Sequence, residues 1–268
     1  MTAFDVATAV TPTGNGSYAA DISTDWWVFT GPNGGYVASI VLRAMTATVD
    51  DARRAARSLT VHYLRPAKAA AAEVRTEVAR AGRSLTTVTA ELHQAGERVA
   101  LATAAFAAPR EGGWAFHDAE APAVPRPEDV AVQQMPDRVR PPIASRFEYR
   151  PVRHAPLFGG ADRADVLAWQ RLHDPAPFDP VLLTTVSDAH APAVFAKATA
   201  PIATATVDLT VHFRAPAAAG HATGWCLTAF RSDVATDGYV EEDGEMYAED
   251  GTLLAQSRQL AVLVPLTG

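Results

Sequence analysis

An internal repeat constrains the fold of this chain more than any other feature of its sequence. The segment LTVHYLRPA at Leu59–Ala67 returns as LTVHFRAPA at Leu209–Ala217, an offset of 150 positions. In the second copy, apolar side chains at Leu209, Val211 and Phe213 alternate with polar ones, which is the period of a strand with one buried face. A strand repeated in this way predicts two copies of one folding unit in a single chain.

A helix is predicted ahead of each copy of the repeated strand. Apolar residues within Val37–Met45 recur at three- and four-residue spacing, after an entry turn at Gly31–Gly35. The corresponding segment of the second half is Asp188–Lys197, which predicts a second helix with Asp188 near its start. Pro192 must then lie in the first turn of this helix or mark a later start.

Turn sequences after each copy complete the pattern. The segments Gln94–Glu97 and Glu249–Thr252 each place a glycine between two strand-like stretches, so both predict hairpins. One helix followed by antiparallel strands, twice over, predicts an α+β fold in which each sheet wraps around a helix. We divide the chain into an N-terminal unit at 1–108, a proline-rich connector at 109–145 and a C-terminal unit at 146–268.

Charge and cysteine content exclude several classes of partner. The 30 acidic and 23 basic residues give a formal charge of -7, so neither nucleic acid nor an anionic membrane surface is an expected partner. Cys226 is the only cysteine, which rules out an internal disulfide and a cysteine-built metal site. The segment Met1–Asp5 lacks the basic start of a secretory signal, and no apolar run reaches the roughly 20 residues of a membrane span. We therefore expect a cytoplasmic location.

Common catalytic signatures are missing from the sequence. It has no G-x-S-x-G, no H-E-x-x-H, no C-x-x-C and no phosphate-binding Gly-Lys-Ser/Thr loop. The sequence therefore disfavours serine-elbow hydrolases, zincins and P-loop enzymes.

Polar residues break the symmetry of the repeat in its second half. Aligning the two hairpin glycines places Gln259 opposite Ala104, and the offset of the repeated strand places Thr206 opposite Ala56. Asp188 follows an apolar run, near the start of the predicted second helix. Taken singly, the aspartate could be a helix N-cap, the threonine an ordinary strand residue and the glutamine a packed polar side chain. Together they favour one active half.

Several segments of the second half, taken in order, resemble the acyl-CoA thioesterase II family, whose members are double hot dog enzymes that hydrolyse fatty acyl-CoA thioesters. The resemblance runs from about residue 20 to the C-terminus and is carried by Phe147–Val152, Trp169–Arg171, Val186–Asp188, Ala205–Asp208, His212–Arg214 and Ser257–Gln259. It implies two antiparallel sheets, each wrapped around a central helix, fused in one chain. It also implies an acyl-CoA substrate and neither a metal nor another cofactor.

The resemblance assigns three site residues. An aspartate on the second helix, a threonine at the head of the next strand and a glutamine on the last strand orient the attacking water in that family, and these positions match Asp188, Thr206 and Gln259. The sequence departs from the family pattern after the aspartate, where His190-Ala191-Pro192 follows, and after the Thr-Val-Asp segment, where Leu209-Thr210-Val211 follows. These departures bear on the acyl preference and leave the reaction class unchanged.

Two glycines are candidates for binding the oxyanion. Gly34 and Gly35 stand where the first helix begins, and a helix N-terminus offers free N–H groups that favour negative charge. Their N–H groups are therefore expected to stabilise the tetrahedral intermediate.

Two other functions fit the same architecture. A hydratase or dehydratase needs an acid and a base on either side of the acyl chain, whereas Asp188 and His190 would point in different directions on a helix. A non-catalytic acyl-CoA binding protein would have no need for a buried glutamine on an apolar strand. Because sheets of this kind often associate further, we also expect a homo-oligomer.

Overall fold

Two helix-wrapping sheets joined edge to edge form the body of the computed structural model, which describes residues 1–110, 112, 114–137, 140–153, 155–214 and 224–266. The last residues of the second repeat copy, Ala215–Ala217, lie outside the described residues. The helices are α1 (Ala3–Ala7), α2 (Gly34–Val49), α3 (Pro180–Val186) and α4 (Val194–Lys197), with short 3-10 turns at Thr24–Trp26, Pro127–Asp129 and Pro142–Ser145.

The strands number thirteen in the described part of the chain. They are β1 (Thr11–Gly14), β2 (Ser17–Asp21), β3 (Ala55–Tyr63), β4 (Ala71–Ala81), β5 (Thr86–Gln94), β6 (Glu97–Ala107), β7 (Phe147–Arg153), β8 (Ala164–Leu172), β9 (Ile202–Phe213), β10 (Cys226–Ser232), β11 (Ala235–Thr236), β12 (Tyr239–Ala248) and β13 (Leu253–Pro265). Their order across the sheet is β1-β2-β4-β5-β6-β3-β9-β13-β12-β10-β8-β7, with β11 paired to β12. All the pairings are antiparallel, as the sequence predicts.

The repeated strand lies at the junction of the two sheets. Strands β3 and β9 are its two copies, and they pair with Thr60 directly opposite Thr210. The two threonine hydroxyls are hydrogen-bonded at 3.0 Å. The register is symmetric about this pair, so a local two-fold axis that relates the two strands passes between Thr60 and Thr210.

The first helix forms as predicted. Asn33 caps the N-terminus of α2 by accepting a hydrogen bond from the Tyr36 N–H at 2.9 Å. The apolar stripe within Val37–Met45 is buried, and α2 ends at Val49, followed by the C-cap residue Asp50 in the left-handed conformation at φ 45°. Helix α2 packs against the sheet of its own half and against α3.

The predicted start of the second helix near Asp188 was wrong. Helix α3 covers Pro180–Val186, where Asp179 is the N-cap and a proline occupies the first turn. Asp188 thus follows the C-cap residue Ser187 instead of beginning a helix. Residues 187–193 form turns, bends and irregular backbone, and the short helix α4 begins only after Pro192, which cannot donate a backbone hydrogen bond. Of the two places expected for Pro192, the later helix start is the one observed.

The registers of the two halves match closely. Leu59 pairs with Ala104 in the first half, and Leu209 pairs with Gln259 in the second. Ala104 also faces Val88 across β5 and β6. Both predicted hairpin turns connect neighbouring strands, β5 to β6 and β12 to β13.

The proline-rich segment covers the outer face of the second sheet. Ala121 and Val124 pack against a cluster that contains Trp169 and Leu227, and the indole N–H of Trp169 donates to the Pro125 carbonyl at 3.0 Å. Among the described residues, no helix is long and apolar enough to cross a membrane.

Candidate active site

The carboxylate of Asp188 binds the N-terminal end of the helix that belongs to the other half. Its Oδ2 atom accepts hydrogen bonds from the Asn33 side-chain amide at 2.8 Å and from the Gly35 N–H at 2.9 Å. The same amide donates to the Asp188 backbone carbonyl at 2.6 Å. A carboxylate at this end of a helix is stabilised by the helix dipole and by unpaired N–H groups.

Close approach of α2 and α3 makes this contact possible. A Cβ atom on Gly35 would lie 2.6 Å from the Thr184 carbonyl oxygen and 2.9 Å from the Asp188 Cβ. The position therefore excludes any side chain. Nearby, the Ser39 hydroxyl donates to the Val181 carbonyl at 2.7 Å, which fixes the two helices together.

Burial makes Asp188 a stronger base than an ordinary aspartate. Desolvation raises its pKa, and the negative charge of Glu242 acts in the same direction. The Gly35 N–H, the charge of His190 and the nearby Gln259 amide lower the pKa, but the net shift is upward. Burial, and then the charge of Asp188, also raise the pKa of Tyr63, whose hydroxyl donates to the Gly34 carbonyl at 2.8 Å.

Gln259 and Thr206 meet on the inner face of the second sheet. The Thr206 hydroxyl donates to Gln259 Oε1 at 3.2 Å, across the neighbouring strands β9 and β13. A bulge between Leu260 and Ala261 shifts the register at this point. The Gln259 amide is close enough to Asp188 to lower its pKa, so the structure brings the three predicted residues into one cluster.

Two further polar residues in this cluster were not predicted as site residues. Glu242 pairs with Gln259 across β12 and β13, and its Oε1 accepts from Gln259 Nε2 at 2.9 Å and from His190 Nε2 at 2.9 Å. Its Oε2 accepts from the Ala193 N–H at 2.6 Å. The position facing Ala104 in the first half is Val88, so the comparison of the halves that singled out Gln259 could also have found Glu242.

Two expectations about the cluster need correction. The Gly35 N–H donates to Asp188, so in this structure it serves the carboxylate and is not free for an oxyanion. The helical argument that separated Asp188 from His190 is also wrong, because the segment between them is not helical. Both residues contribute to the same buried cluster.

Family models for acyl-CoA thioesterases match most of the chain. The model of the N-terminal domain matches residues 23–107, and the model of the C-terminal domain matches residues 127–263. No curated protein sequence matches the chain significantly.

Solved structures resemble the chain over its whole length. A protein of unknown function with a hot dog fold from Alicyclobacillus acidocaldarius has a TM-score of 0.92 and 30% identity, and 100% of each chain is covered. A putative thioesterase II from Thermobifida fusca has a TM-score of 0.84 and 26% identity over 98% of both chains. The acyl-CoA thioesterase II TesB2 from Mycobacterium marinum has a TM-score of 0.78 and 25% identity over 99% of this chain and 100% of its own. The chain thus has the double hot dog fold and belongs to the acyl-CoA thioesterase II family.

Proposed function

We propose that this protein hydrolyses acyl-CoA thioesters to a free acid and CoA by direct attack of water on the thioester carbonyl. The observation that carries the proposal is the buried Asp188 carboxylate, held at the start of α2 beside the bonded pair of Gln259 and Thr206. A buried acid of raised pKa is suited to general-base catalysis, because its strength as a base is greater.

The proposed reaction needs no covalent intermediate on the protein. Asp188 takes a proton from the water while the water oxygen bonds to the carbonyl carbon, and Thr206 and Gln259 hold that water in line. The C–S bond then breaks, and the proton passes from Asp188 to the departing CoA sulfur. Atoms balance as water plus thioester giving acid plus thiol.

The oxyanion is proposed to bind at the first residue of α2. Because the Gly35 N–H is engaged by Asp188, the N–H of Gly34 is the better of the two predicted donors. It stands at the N-terminal end of a sixteen-residue helix, where the dipole favours negative charge. Donors placed there act at the point where charge develops in the transition state.

Other parts of the account stay predictions. We keep the division at 1–108, 109–145 and 146–268, assembly into a homo-oligomer and a cytoplasmic location. A role in fatty acid metabolism follows if the substrate is a fatty acyl-CoA, as the resemblance implies. The site draws on both halves, since Asn33 and Gly35 bind the Asp188 that follows α3. The prediction that the C-terminal unit carries the catalytic residues is therefore kept for Asp188, Thr206 and Gln259, while the N-terminal unit supplies the Asn33 side-chain amide and the Gly35 N–H that hold Asp188.

The test measures free thiol released from acyl-CoAs of increasing chain length. Asp188→Asn and Gln259→Ala should each lower kcat/KM by at least about 10²-fold, the size of effect expected for a base or a water-positioning group. Asp179→Asn is the matched control. This N-cap is also an aspartate whose pKa burial raises, but it lies at the start of α3, and asparagine caps equally well.

Each alternative function has its own outcome in this assay. Acyl-CoA binding without thiol release by the wild type would favour the non-catalytic reading. Loss of the enoyl absorbance of an enoyl-CoA, again without thiol release, would favour a hydratase that uses Asp188 and His190. Either result would contradict the proposal.

A further inference from the structure

Glu242 is a buried carboxylate with a full set of hydrogen-bond donors around it. Only 5% of the residue is exposed, and its two oxygens accept from His190 Nε2, Gln259 Nε2 and the Ala193 N–H. Burial would raise its pKa, but the charge of His190 and these hydrogen bonds outweigh that effect and hold the pKa below the ordinary range. Glu242 therefore stays ionised in the interior.

An amide side chain such as Gln259 can be turned either way round, and its neighbours decide the orientation. Thr206 alone does not decide, because a hydroxyl can donate or accept. The ionised Glu242 can only accept, so it requires the Gln259 nitrogen on its own side. The Gln259 oxygen is then left to face Thr206.

We infer that Glu242, anchored by His190, is a positioning residue that fixes the amide orientation of Gln259 in the active site. The inference rests on the proposed hydrolysis for its effect on rate, but its geometry stands without it. Glu242 ties the last strand, through Gln259, to the segment that carries both His190 and Asp188. It thereby couples the placement of the glutamine to that of the base.

The side chain of His190 is buried and stacks on an aromatic ring. Its ring stacks on Phe230 with centroids 3.6 Å apart and an interplanar angle of 16°. A Cβ on Gly244 would lie 2.4 Å from Phe230 Cε1, so glycine at that position makes room for the phenyl ring. The histidine side chain is 1% exposed, and its one hydrogen bond among the described residues is to Glu242.

The central variant is Glu242→Gln, which keeps the shape and removes the acceptor-only character. An amide at 242 must oppose at least one of the three donors with its own NH₂ group, so we expect kcat to fall about 10²-fold, as for a small misplacement of a catalytic group. Glu241→Gln is the matched control: its carboxylate receives the N–H groups of Asp233 and Val234 at the surface. That variant should keep the wild-type rate.

A double-mutant cycle tests whether Glu242 acts through Gln259. In the Gln259→Ala background, Glu242→Gln should change kcat by less than about 2-fold, because there is no amide left to orient. Equal effects of Glu242→Gln in both backgrounds would overturn the inference.

The pH profile adds a readout that mere structural damage would not move. The titratable groups that face Asp188 are Glu242, His190 and Tyr63, and the charge of Glu242 raises the Asp188 pKa. Glu242→Gln should therefore shift the acid limb of the rate profile to lower pH while lowering its plateau. A plateau lowered without that shift would mean damage only.

Two substitutions at His190 keep the test sound if Glu242→Gln does not fold. His190→Gln retains an N–H donor for Glu242, and His190→Phe retains the ring that stacks on Phe230 but has no donor. We expect the phenylalanine variant to lose at least about 10-fold more in kcat than the glutamine variant. The reverse order would contradict the inference.

A measurement that needs no turnover separates this inference from the proposed function. The side-chain amide protons of Gln259, assigned by their loss in Gln259→Ala, should exchange slowly in the wild type and rapidly in Glu242→Gln. If no thioester is hydrolysed but this difference appears, the proposed function fails and the inference holds. Equal exchange in both proteins would overturn the inference whatever the activity.

Discussion

The two halves of the molecule share a strand register but differ in their helices. Helix α2 runs for 16 residues, whereas α3 runs for 7. Where the first half continues as a helix, the second half changes to turns that carry Asp188 and His190 against the start of α2 and the sheet. Because α3 ends early, the backbone after it is free to turn, and this turn places Asp188 at the N-terminus of α2.

The sheets differ at three matched positions. The first half has Ala56, Val88 and Ala104, all buried and apolar, where the second half has Thr206, Glu242 and Gln259. In the second half each of these polar groups bonds to another, so their burial is compensated. The same strand register therefore supports an apolar core in the first half and a buried polar cluster in the second.

The largest expected effect comes from forcing the first half to resemble the second. Ala104→Gln would bury an amide beside Val88 and Leu59, which offer no side-chain partner, and should cost about 2–4 kcal/mol of unfolding free energy. Urea unfolding measures the loss. Ala105→Gln, one residue along and half-buried on the other face, is the control and should change stability by less than about 0.5 kcal/mol. Equal costs for the two variants would mean that the apolar character of the first half is incidental.

A smaller effect is expected where the two halves touch. Gly35→Ala would place a Cβ against the Thr184 carbonyl and Asp188, so we expect a loss of about 1–3 kcal/mol and a displaced carboxylate. The melting temperature and the rate of thiol release should both fall. The control is Gly31→Ala, whose Cβ would have its nearest neighbour at 3.9 Å. If Gly35→Ala behaved like this control, close helix contact would not be what places Asp188.

The smallest effect concerns the stability cost of the buried base. The folded-state pKa of Asp188 is raised, so its contribution to stability is full at low pH and is lost as the pH rises through that pKa. Asp188→Asn should therefore raise the melting temperature at neutral pH by at most a few degrees. Below the unfolded-state pKa of the aspartate, the melting temperature should not rise.

Asp243 supplies the opposite case on the outer face of the same sheet. Arg258 lowers the pKa of Asp243 by hydrogen bonding, so its ionised form stabilises the fold above the unfolded-state pKa. Asp243→Asn should lower the melting temperature at neutral pH. Shifts of the melting temperature with the same sign in both variants would show that burial does not determine the pKa of Asp188.

The sequence predicted the repeat-based fold and the three polar candidates but not how they are held. The recurrence at Leu59 and Leu209 and the glycine turns are local signals, so they predict the strands and hairpins without any knowledge of tertiary contacts. The position of α3 was missed because the apolar residues at Val181–Val186 fit a strand as well as a helix, and only packing against α2 decides. Glu242 was missed because it stands between two other acids, Glu241 and Asp243, and an acid in such a run resembles an exposed residue until its partners from other elements are known.

The measurement that tests the account most directly is the pH dependence of kcat/KM for thiol release by the wild type and Asp188→Asn. With Asp188 as the base, the wild-type rate should rise through an acid limb that lies above the pH of about 3.9 typical of an aspartate, because burial raises its pKa. In Asp188→Asn the residual rate should be far lower and should lack that limb. An acid limb at the same pH in both proteins would show that another group is the base and would contradict the assignment of the site to Asp188.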